Sequence, residues 1–156
     1  MALAVPLSRF TPRVGGGSAF FVRRLSAFFI MIENDSQWER LISAPDAKEA
    51  REWLQTGHER GLALVTLGEL DSTEESLAIV EKAYAAGAVR VTAVEIGDYP
   101  DFPGGHSQNT GRLVVTLPDA PSERAEVLAW AGEIAEEQGF DAETDEGQRY
   151  VFVMLD

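Results

Sequence analysis

The sequence contains no cysteine. Disulfides, zinc–cysteine sites, iron–sulfur clusters and thiol nucleophiles are therefore all excluded. A chain without cysteine suits a reducing compartment, and a cytoplasmic location is the expectation. Basic residues are scarce as well, 13 against 26 acidic ones. Binding to a phosphate backbone depends on lysine and arginine, so nucleic acid is a poor partner for this chain. Long apolar runs are also missing. The longest near the start, Leu25 to Ile32, is too short to span a bilayer, and the net negative charge disfavours an anionic membrane surface.

Recognised chemical motifs are few. There is no Gly-x-Ser-x-Gly elbow, no GxGxxG fingerprint, no phosphate loop ending in Gly-Lys-Ser/Thr, and no His-Glu-x-x-His. No cofactor is expected. The histidines are only His58 and His106. His58 follows Gly57 at a helix end, where a cation suits the helix dipole.

What is present divides unevenly. Residues 1–30 hold Arg9, Arg13, Arg23 and Arg24 and no acid, whereas residues 31–156 hold the other 9 basic and all 26 acidic residues, a net of −17. The first thirty residues read as a leader. Three origins stay open for it: an upstream start with Met31 as the true beginning, an organellar address, or a structural segment.

From Met31 on, the pattern is that of one acidic α+β domain. Ser36 and Glu39 have capping-box spacing for a short helix that Pro45 ends. Asp46 can cap a second helix from Ala47 to about Thr56, with Ala50, Trp53 and Leu54 inward and Gly57 as its stop. Residues 31–60 thus form a helical extension on a core of 61–156. In that core, Leu62–Leu67 is a buried strand, and Ser72-x-x-Glu75 opens a helix that Gly87 ends. Val89–Ile96 and Leu113–Leu117 are strands. Asp119 or Ser122 opens a helix to about Gln138, and Tyr150–Leu155 is the last strand. Along that strand Val151, Val153 and Leu155 should face one side, and Phe152 and Met154 the other.

The order β-α-β-β-α-β resembles the ferredoxin-like sandwich, which implies strand order 4-1-3-2 with 62–67 and 113–117 central. That topology would gather the loops 68–72, 97–111 and 139–148 at one rim. Gly97–Gly111 is the most unusual segment, since hairpin connections are normally far shorter. In it Tyr99 and Phe102 would cover a ligand, and His106 would act as ligand or base with Asp98 or Asp101 orienting it. The weak metal candidates are Asp71, Asp98, His106 and Asp145, which that topology brings together.

Two functional readings follow. The leading one is a non-enzymatic protein-binding or regulatory module, engaging a protein partner or a second copy through a sheet face, an edge strand or the acidic rim. The alternative is a small enzyme with a pocket under the 97–111 loop and His106 as general base. It would be metal-dependent if the rim acids hold an ion.

Overall fold

A computed structural model describes residues 34–156. The expectations for residues 1–30 lie outside this range. Helix α1 runs over 34–42. It is followed by a two-residue strand, β1 (Lys48–Glu49), and helix α2 (Ala50–Gln55). Then come β2 (Leu64–Leu67), α3 (Thr73–Ala86), β3 (Arg90–Ala93), β4 (Gly97–Tyr99), β5 (Ser107–Thr110), β6 (Arg112–Thr116), α4 (Pro121–Glu137) and β7 (Tyr150–Met154).

Local chemistry explains most boundaries. Ser72 Oγ accepts the Glu75 amide at 3.1 Å, the capping geometry expected from the sequence, and Gly87 ends α3 in the left-handed region at φ 116°. The second helix begins later than expected. Glu49, not Asp46, is its cap, accepting the amides of Arg51 and Glu52. Lys48–Glu49 is drawn into strand conformation by pairing with Thr92 and Ala93.

The α+β class holds, but the strand order is not 4-1-3-2. One sheet runs β1-β3-β6-β7 and is antiparallel throughout; a smaller one runs β2-β5-β4, with β2 parallel to β5. The first expected strand is therefore an edge, and the last strand takes the place beside 112–116 that the first was expected to hold. The reason lies in the polar segment after Ile96. Ser107–Thr110 is a strand that leads through Gly111 into β6, so two strands can share one flank end to end. β2 pairs with its first half and β7 with its second. They meet at Gly68 and Gly111, where a Cβ on either glycine would lie 2.4 Å from the Leu155 carbonyl oxygen. Only glycine permits three chain segments to approach so closely.

Two apolar clusters fill the layers. Val91, Leu113, Val115, Val151, Val153 and Leu155 pack towards α2, α3 and α4. Val94, Val114 and Tyr150 face the other way, against Trp38, Leu41 and Phe152. Residues in β7 thus alternate between the two faces, as a two-residue period requires. Trp53 and Leu54 of α2 belong to the first cluster, so the helical extension shares the core. Among the described residues no helix is long and apolar enough to cross a membrane.

Candidate functional site

The segment 97–111 is not a free loop. It holds β4 and β5, paired antiparallel with Asp98 opposite Gln108 and Tyr99 opposite Ser107, and only residues 100–106 form its tip. This pairing sorts the expected site residues. Asp98, Gln108 and His106 lie on one face: His106 Nε2 is 2.6 Å from Asp98 Oδ1, and the Gln108 amide donates to the same oxygen at 3.1 Å. Gln108 Oε1 in turn accepts from Trp53 Nε1 at 3.0 Å and Arg60 Nη1 at 3.1 Å. The hydrogen bond to His106, with that to Gln108, holds the Asp98 carboxyl below the usual carboxylate range.

Tyr99 and Phe102, both about half exposed, lie across the sheet from that pair. They line an open groove of about 360 Å³ with Leu64, Thr66, Asn109 and Asp71. Its floor is polar: Asn109 Nδ2 donates to Thr66 Oγ1 at 2.9 Å and to the Gly68 carbonyl at 2.8 Å. His106 is not among the lining residues. The structure therefore brings His106 to Asp98 but places the two aromatics on the opposite face. Asp101 is exposed at the tip and makes no side-chain hydrogen bond among the described residues.

Asp145 is not at that rim. α4 runs beside β7 in the same sense, so residues 139–149 must return to the end where Thr116 pairs with Tyr150. There Arg124 holds Asp145 through two hydrogen bonds, at 2.7 and 3.2 Å, and also donates to the Pro118 carbonyl. Its guanidinium, with the Gly147 amide, keeps the Asp145 carboxyl low. Asp71, Asp98, His106 and Asp145 thus do not converge. Among the described residues no three histidine, aspartate or glutamate side chains are grouped to hold an ion.

The feature that sequence reading could not locate is the edge of β7. Leu155 N donates to the Gly111 carbonyl at 2.7 Å, and Leu117 N to the Arg149 carbonyl at 2.8 Å. These bonds set the phase of the ladder: Val151, Val153 and Leu155 turn their main chain to β6, while Tyr150, Phe152 and Met154 turn theirs outward. No described residue hydrogen-bonds the main chain of Phe152 or Met154 on that side. The other edges are closed or short. On β2, the Leu67 amide donates to Ser76 Oγ at 2.9 Å and the Val65 carbonyl accepts from Thr73 Oγ1 at 2.7 Å, so α3 covers that edge. β1 has two residues and β4 three, against five for β7.

Clefts flank this open edge on both sides. Towards α4, Ala131, Ala135, Phe140 and Val153 line a cleft of about 190 Å³, and Phe140 is 54% exposed. Towards α1, Trp38, Leu41, Phe152, Met154 and Arg112 line one of about 400 Å³. There Trp38 stacks on Phe152 with ring centroids 4.6 Å apart, and Arg112 pairs with Glu95. At the Tyr150 end a third cavity, about 380 Å³, is lined by Asp35, Asp141, Glu143 and Glu146.

Comparison with protein-family models, with curated proteins and with solved structures finds no match to this chain.

Proposed function

We propose that this chain is a protein-binding module that takes an extended segment of a partner protein alongside β7. The observation that carries the reading is the outward main chain of Phe152 and Met154, which has no partner among the described residues and lies between two clefts. An added strand would gain main-chain hydrogen bonds from those groups and place alternate side chains in the cleft by α4 and the cleft by α1. The acidic surface makes nucleic acid and anionic membranes poor alternatives.

The test is main-chain chemistry at a single position. Met154→Pro removes an outward N–H and no ladder bond to β6, a substitution that edge strands tolerate. Random peptides displayed on phage and selected on the protein should lose at least about tenfold more affinity on Met154→Pro than on Met154→Ala, which trims the cleft but keeps the N–H, as expected when main-chain pairing supplies the affinity. Selected peptides indifferent to the proline, or no selectable peptide at all, would overturn the reading. A second reading, a small enzyme with His106 as general base, rests on the Asp98–His106 contact alone. It requires a substrate site on the Gln108 face of the small sheet, and ligand-induced shifts of the His106 imidazole would favour it.

A further inference from the structure

We infer that the segment β7 accepts is apolar where it lies beside Phe152 and Met154 and basic where it passes Tyr150. This rests on the strand-addition reading and adds the chemistry of the partner. The two ends of the edge differ. At the Met154 end, the cleft under α4 is walled mostly by apolar groups, Ala131, Ala135, Phe140 and Val153, which suit small or branched apolar side chains; it shares only Asp141 and Glu143 with the cavity at the Tyr150 end. At the Tyr150 end the cavity holds Asp35, Asp141, Glu143 and Glu146, and no lysine or arginine lines it.

The nearby cations are already engaged. Arg149 pairs with Glu39 at 2.6 Å and Arg124 with Asp145 at 2.7 Å. None of Asp141, Glu143 and Glu146 forms an ion pair among the described residues. Burial raises the Glu143 carboxyl above the usual range, against a hydrogen bond from Gln148 that lowers it, and repulsion from Glu146 and Asp35 adds to the rise. A cation brought alongside would offset that repulsion. The net of −17 over residues 31–156 repels an acidic segment and also a second copy of this chain. With antiparallel pairing, the more stable ladder, the segment reads from N to C as alternating apolar residues followed by lysine or arginine.

The experiment uses the full chain and three synthetic probes of about ten residues, long enough to pair with the whole edge. One alternates valine and threonine and ends in lysines. One ends in glutamates instead, and one carries the lysines at its start. Amide shifts of Phe152 and Met154 report the site, and a titration reports affinity. The lysine-ending probe should bind about tenfold tighter than the glutamate probe at low salt, with the gap closing towards 1 M salt as screening sets in. Asp141→Asn combined with Glu143→Gln should remove most of that gap while the glutamate probe gains. Equal binding of lysine and glutamate probes, both lost on Met154→Pro, would overturn the charge assignment and leave strand addition standing. A lysine-first probe that binds best would reverse the direction assigned to the strand. Probes that leave the Phe152 and Met154 amides unmoved would overturn both readings. Concentration-dependent shifts of those amides without peptide would assign the edge to a second copy.

Discussion

Ser76 gives the sharpest test of how β2 and β7 differ. Its side chain is fully buried on α3; its Oγ accepts the Leu67 amide at 2.9 Å and donates to the Ser72 carbonyl at 3.0 Å. Ser76→Ala changes little volume and gains only about 0.5 kcal/mol of helix propensity, so the principal effect is a buried Leu67 N–H without an acceptor. Such a group costs about 1–3 kcal/mol. An entropy of unfolding near 2.1 cal/mol/K per residue over roughly 120 residues makes 2 kcal/mol equivalent to about 8 °C in Tm. Thr73→Val should cost less, because that bond is only partly buried and water can replace the hydroxyl at the Val65 carbonyl. Differential scanning calorimetry measures the Tm, and amide hydrogen exchange at Leu67 reports the bond itself. A fall in Tm under about 2 °C, well below the cost of an orphaned amide, with Leu67 protection unchanged, would refute the claim that α3 closes this edge.

Two further outcomes follow from charge. Burial pushes the Glu49 carboxyl up, but the Tyr84 hydroxyl at 2.5 Å and the amides of Glu52 and Arg51 outweigh it and leave it lowered. Its folded pKa lies below the unfolded one, so its contribution is present above the unfolded value and lost as pH falls through the folded value. Glu49→Gln should flatten the loss of stability below about pH 4.5, the ordinary glutamate range, in urea titrations at stepped pH; an unchanged acid limb would show that other carboxylates dominate it. Added salt should raise Tm, because −17 over residues 31–156 opposes compaction and screening relieves it. A flat Tm between low and moderate salt would mean local pairs already offset the repulsion.

The sequence made some elements plain and left others hidden, for physical reasons. The start and stop of α3 were legible because Ser72, Glu75 and Gly87 act locally through main-chain groups within one helical turn. β7 was legible because five consecutive apolar residues leave no other economical state. β4 and β5 were not, since Gly97-Asp-Tyr and Ser107-Gln-Asn-Thr have weak strand preference and become strands only by pairing with each other and with β2. The division of the candidate site followed from the same gap. Neighbouring residues point to opposite faces of a strand and to no fixed side of a loop, so Asp98 and Tyr99 could be separated only once the strand was recognised. The open edge was hidden more deeply. Apolar strands read alike from sequence, and which one ends beside solvent depends on strand order, which long-range contacts decide.

The inequality of the edges also limits what can be assembled. Indefinite growth by strand pairing needs an open edge at both ends of the repeating unit, so that each arrival offers a fresh template. Among the described residues, the larger sheet has one long open edge, at β7, and ends at its far side in the two residues of β1. Copies of this chain that met through β7 would therefore close as a pair, with no second long edge among the described residues from which a fibre could grow.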